Sequence, residues 1–238
     1  MTIAEQVTQL KTDFDLVKQA GYAEGYEVGK SEGGDTDAAY QQGVTDGEKY
    51  ALEKIDSLYY FFADGQRMGI YETLMNSDLS RIKNVQYLFN GNTKLTEFEM
   101  PETLNPTHVH YMFQNCTSVT RINLFGKSAG SVLTGVFSGC TALVDVGTVN
   151  FQGVGYANRT FLNCTSLQEI RISGEIGLSV SFGDSPNLSA DSIQSIIDHL
   201  ADRTGTTALS LTLHTTVVGK MTDSQKADIK DKNWDLVS

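Results

Sequence analysis

Cationic side chains are scarce in this chain. Its 238 residues carry 18 lysines and arginines against 29 aspartates and glutamates, a formal net charge of −11. Nucleic-acid binding needs a basic footprint, and so does attraction to an anionic membrane surface, so neither partner is expected. No run of roughly 18 apolar residues occurs, so membrane insertion is not expected either. Cysteines number three, an odd count that does not make a disulfide framework. No C-x-x-C pair stands near a histidine, as a structural zinc site would want. The histidines His108, His110, His199 and His214 do not form a ligand set with carboxylates. There is no Walker loop, no G-x-S-x-G and no carboxylate pair set for acid–base work, so neither an enzyme nor a cofactor is expected. The opening stretch MTIAEQVTQLKTDFDLVKQ lacks the charged start, apolar core and cleavage site of a signal peptide. That predicts a chain made and assembled in the cytoplasm.

What the chain does have is a repeat. FNGNTKL begins at Phe89, FQNCTSV at Phe113, FSGCTAL at Phe137 and FLNCTSL at Phe161, a period of 24 residues. A period in the range of roughly 20 to 50 residues means a solenoid, a propeller or an array. Column by column, Phe is followed by Asn92, Cys116, Cys140 and Cys164, then by Leu95, Val119, Leu143 and Leu167. Phe98, Ile122, Val146 and Ile170 come next, and Met100, Leu124, Thr148 and Ile172 two residues on. The last three columns spell L-x-x-L-x-L, the strand phrase of a leucine-rich repeat. A single unit cannot bury its apolar edge, so like stacks on like in successive coils at about 4.8 Å. The cysteines then read as a ladder of small buried hydrophobes, with a disulfide between neighbouring coils as the alternative.

Function is expected on the outward columns. One strand column reads Glu97, Arg121, Asp145, Glu169, with Glu99, Asn123, Gly147 and Arg171 beyond it. Cross-strand charge pairs on a solvated face account for the first of these. Ahead of each Phe stand Tyr87, Tyr111, Gly135 and Arg159, with Gln86, His110, Thr134 and Asn158 beside them. Exposed tyrosines next to polar groups suit recognition of sugars or protein surfaces, and ordinary loop packing is the plainer account.

The flanks differ from the repeat. In residues 1–57, Ile3, Val7, Leu10, Phe14 and Val17 fall at steps of 4, 3, 4 and 3, a heptad-like seam. So short a seam needs a partner helix, which predicts a helical oligomerisation stalk or anchor. The alternative is a helical pair folded back on the solenoid entrance. Residues 58–84 should lead into the solenoid, with Tyr59 to Phe62 covering its open end. Residues 85–188 hold the repeats, ending in a shortened fifth coil with Phe182, Ser185 and Leu188. Residues 189–238 read as a C-terminal α/β cap. Ser189 caps a helix from about Ala190 to Ala201 that buries Ile193, Ile196, Ile197 and Leu200. Leu209, Leu211 and Leu213 alternate as a strand, and Thr222 with Gln225 forms a capping box opening a helix to about Lys232.

The phrases VQYLFNGNTKLTEF (85–98) and VHYMFQNCTSVTRINL (109–124) resemble the BspA-type leucine-rich repeats of bacterial and phage surface proteins. That family repeats V-x-x-M-F-x-x-C-x-x-L in each coil, and the resemblance covers about residues 58–188. The third and fourth units depart from it ahead of the Phe. The fold implied is an α+β leucine-rich-repeat solenoid. The function implied is non-enzymatic: adhesion or surface recognition, with no catalytic motif to carry over. The first expectation is a phage virion component (tail, baseplate or fibre) that meets other virion proteins and a host surface glycan or protein. Analogy with viral fibres makes the expected homo-oligomer a trimer. A bacterial cell-surface adhesin and a ligand-free structural spacer are the alternatives.

Overall fold

The computed structural model describes residues 58, 61–65, 68, 71–76, 78–124, 126–127 and 132–238. The heptad seam at Ile3, Val7, Leu10, Phe14 and Val17 lies outside the described residues.

Four short strands, β1 (Glu97–Glu99), β2 (Arg121–Asn123), β3 (Asp145–Asn150) and β4 (Glu169–Ser173), form one parallel sheet in sequence order. Each recurs once per 24-residue unit, so a full coil returns the chain to the same place one strand further on. The register follows the sequence columns: Glu97 pairs with Arg121, Phe98 with Ile122, Arg121 with Asp145 and Asp145 with Glu169. Side chains alternate across the strands. Phe98, Ile122, Val146 and Ile170 point into the core, and each is at most 1% exposed.

The third strand departs from the expected columns. A β-bulge between Asp145 and Thr148 shifts the register, so Thr148 pairs with Arg171 and Val149 with Ile172. The apolar place assigned to Thr148 is therefore filled by buried Val149, and Thr148 takes the outward place assigned to Gly147. Gly147 adopts φ +61, which costs glycine nothing. Its N–H donates to Asp145 Oδ1 at 2.8 Å and fixes the bulge.

The core is a phenylalanine column. Phe62, Phe89, Phe113, Phe137, Phe161 and Phe182 stack ring on ring, at centroid separations of 5.4, 5.4, 6.0, 5.5 and 4.6 Å. Phe62, expected to cover the open end, instead supplies the first rung. The three cysteines are buried free thiols. Each donates to the carbonyl of the Phe one coil back: Cys116 to Phe89 at 3.0 Å, Cys140 to Phe113 at 3.0 Å and Cys164 to Phe137 at 3.1 Å. Asn92 holds this column in the first unit and donates to Phe62 O at 2.9 Å.

The far side of each coil is a chain of tight turns hydrogen-bonded into the next coil. Tyr87, Phe89 and Gly91 donate to His110, Met112 and Gln114, and the series repeats from Tyr111, Phe113 and Asn115 to Thr134, Val136 and Ser138. These bonds join backbone to backbone, so the coil can vary its side chains without losing its seam.

The two edges of the sheet end differently. Beyond β4, helix α2 (Ala190–Asp198) is capped by Ser189 and buries Ile193, Ile196, and Ile197, with Leu200 buried just past its end. Its Ser192 and Ser195 hydroxyls accept from the N–H groups of Ile170 and Ile172, both at 2.9 Å. Those donors would otherwise be open on the strand edge. A second parallel sheet follows, with β5 (Val180–Phe182), β6 (Leu209–Leu213) and β7 (Trp234–Val237) in that order. Helix α3 (Thr215–Lys220), absent from the sequence expectation, begins at His214, whose ring accepts from Thr216 N. Helix α4 (Asp223–Asp231) opens on the complete Thr222–Gln225 capping box, and Trp234 Nε1 donates to Ala201 O at 2.8 Å. At the other end, α1 (Tyr71–Met75) takes the place of a strand beside β1.

Candidate functional site

The turn side of the solenoid places the expected tyrosines in a ridge. Each of the four 24-residue units places a left-handed residue two positions before its Phe, and the column reads Tyr87 (φ 56), Tyr111 (φ 57), Gly135 (φ 63) and Arg159 (φ 58). A left-handed conformation costs an L-residue about 1–2 kcal/mol. A second left-handed column two places after the Phe uses tolerant residue types: Asp64, Gly91, Asn115, Gly139 and Asn163. The first column instead puts two tyrosines and an arginine where Gly or Asn would be cheapest.

The rings of Tyr87 and Tyr111 lie stacked, 4.9 Å apart and 17° from parallel. His110 sets its ring edge-on to both, 6.3 Å from Tyr87 and 5.9 Å from Tyr111. Its Nδ1 is buried with no hydrogen-bond partner among the described residues. Burial, and then the neighbouring His108, lower its pKa, so the imidazole is neutral near pH 7. The stack ends at Gly135, where an added Cβ would overlap the Tyr111 ring. Gly135 therefore makes the room in which Tyr111 lies flat on the next coil.

Arg159 shares the backbone conformation, but the Gly135 coil separates it from the tyrosines. Tyr156 is 64% exposed, the most open large hydrophobic side chain among the described residues, and the sequence reading passed over it. Its column runs Asn84, His108, Val132, Tyr156, which has no shared residue type to draw attention. Its backbone bridges to Val132 in the preceding coil.

The strand face turns out more structural than the charge pattern implies. Arg121 Nη1 meets Glu99 Oε1 at 3.7 Å, and its Nε meets Asp145 Oδ2 at 3.9 Å. Its partner on β1 is thus the diagonal Glu99 rather than Glu97 directly opposite. These exposed pairs are worth about 0–1 kcal/mol each. Asp145 is already engaged by the bulge. Glu169 accepts from Ser189 Oγ at 3.0 Å, which fastens the start of α2. Two of the four charged candidates therefore hold the fold together, and Tyr87, His110 and Tyr111 are the ones gathered into a single surface feature.

Comparison with known families gives one match. The family model described as the BspA type leucine rich repeat region covers residues 66–188 in 6 copies. That is just over half of the 238 residues. Neither the curated proteins nor the solved structures compared with the chain give a match.

Proposed function

The chain belongs to the BspA-type leucine-rich-repeat family, and from that premise we propose that it is a non-enzymatic recognition protein carried on a phage tail, baseplate or fibre. Leucine-rich repeats of this kind are protein-interaction modules, and a regular solenoid offers an extended surface rather than a cleft. The observation that supports recognition over a bare spacer is the Tyr87–Tyr111 stack with His110 at its edge. Flat, rigid aromatic faces suit the apolar face of a sugar ring or a partner's side chains. Holding those rings out on left-handed backbone positions costs stability that a spacer has no use for. The virion setting rests on the resemblance to phage surface repeats, and the heptad seam at Ile3 to Val17 suits the oligomeric stem such a part needs. The bacterial cell surface is the second setting, favoured by the surface association common in this family.

The test is binding of the full chain to host cells and to a glycan array. Tyr87→Ala and Tyr111→Ala should each weaken binding about tenfold or more, as truncation of an aromatic anchor does. Gly135→Ala should weaken it as well, by lifting Tyr111 off the coil. Wild-type strength in all three variants would remove the tyrosine ridge from the proposal. No binding by the wild-type chain to either surface would favour the spacer.

A further inference from the structure

The two edges of the β1–β4 sheet carry different instructions. The β4 edge is closed by serine hydroxyls on α2. The β1 edge is not. Met100 N donates to Asn123 O and Thr96 O accepts from Thr120 N, so the even-numbered backbone groups of this stretch face β2. By alternation, those of Glu97 and Glu99 face the other way. Among the described residues, neither N–H has a partner.

What they face is a groove of about 470 Å³ between β1 and α1. Tyr71 and Met75 form its apolar wall, and Glu72, Glu97, Glu99 and Glu102 line it. Tyr71 packs edge-on against Phe62 and Phe89, at 5.6 and 6.0 Å. Burial, then Glu72, then Glu99 push its phenol up to about 12, so it stays a hydrogen-bond donor at any physiological pH. Among the described residues, no cationic side chain lines the groove.

From this geometry we propose that the groove binds an extended, basic peptide segment of another protein, which adds as a strand to the free edge of β1. The backbone of Glu97 and Glu99 supplies the hydrogen bonds, as in other cases of strand addition. Lysines or arginines of the guest then meet the groove's glutamates. β2 already displays this pairing from the opposite side, where Arg121 reaches diagonally to Glu99. Charge also selects against the two occupants nearest to hand. Residues 1–57 of this chain hold five lysines and no arginine against twelve acidic residues. A second copy meeting edge to edge would set Glu97 and Glu99 against their own counterparts. The site is separate from the tyrosine ridge and stands or falls without it.

The experiment uses the full chain with a ten-residue peptide alternating lysine and valine, and a glutamate–valine peptide as control. Hydrogen exchange should show the Glu97 and Glu99 amides open in the free chain and protected by at least tenfold on adding the basic peptide. The control should protect neither. Glu97→Gln combined with Glu99→Gln should weaken binding about tenfold or more, and N-methylation of alternate peptide amides should abolish the protection while leaving the charges in place. Three results would each overturn the proposal. Binding could survive N-methylation, which means charge attraction alone. The basic peptide could leave both amides unprotected. Or both amides could be protected before any peptide is added, which means the edge is already taken. If that protection fades on dilution, the occupant is a second copy; if it persists, the occupant is residues 1–57.

Discussion

The cysteines are the residues whose chemistry the fold alters most. Each thiol is sealed among apolar side chains and gives its proton to a backbone carbonyl, so ionising it means leaving a charge without solvent. Burial raises Cys116 and Cys164 from 9.0 to about 12, and Cys140, also facing the other two thiols, well above 9.0. Since the folded values lie above the unfolded one, the thiols' contribution is whole below pH 9.0 and is lost as pH rises toward 12. Each thiol then withdraws about 1.4 kcal/mol per pH unit in that window. Urea unfolding at pH 8 and pH 10 should show a clear loss for the wild type. A chain with all three cysteines replaced by alanine should lose less between the same two pH values. Equal losses in both chains would mean that the thiols do not carry the effect. The placement of these residues was legible in the sequence, because three Cys in one repeat column next to Phe can only stack. The direction of their hydrogen bonds was not, since a column says which residues stack but not which carbonyl lies within reach.

Among the elements, α2 shows how the sheet is finished. Ser192 is 1% exposed and serves as acceptor for Ile170 N and donor to Gln168 O. Ser192→Ala should cost about 1–3 kcal/mol, the penalty for leaving buried backbone groups unpaired. Ser195→Ala should cost less because its site is only half-buried. Thermal or urea midpoints of the two variants check the order, and a harmless Ser192→Ala would show that water replaces the hydroxyl. The helix itself could be read from its apolar face and its cap, because both are local signals. Its serines could not, since Ser192 and Ser195 matter only through strand backbone some 22 to 23 residues away. The bulge in β3 was hidden for a related reason. The 24-residue period carries on unbroken across it, so counting alone assigned Thr148 to the place that Val149 fills. Helix α3 went unread because its six residues, TTVVGK, carry β-branched side chains and a glycine instead of a helical pattern.

At the scale of the whole molecule, the repeat was the most legible part. Identical spacing forces identical coils, and the family match to residues 66–188 agrees with the columns. The assembly state is a separate question, and light scattering on a sizing column answers it. The full chain should run as a defined oligomer, a trimer by analogy with fibres, and a chain starting at Ser57 should run as a monomer. A monomer in both cases would remove the heptad seam from the account.

The backbone seam on the turn side has a further consequence. Its hydrogen bonds run from one coil to the next without consulting side chains. A 24-residue segment copied in tandem would therefore find its donors and acceptors waiting, and neither end of the protein would need redesign. The gap between the first and last phenylalanine would widen by one rung, here 4.6 to 6.0 Å. The molecule thus works as a ruler with discrete graduations. Gene duplication could change the reach between whatever is mounted at its two ends by whole steps, while the surfaces at those ends stay as they are.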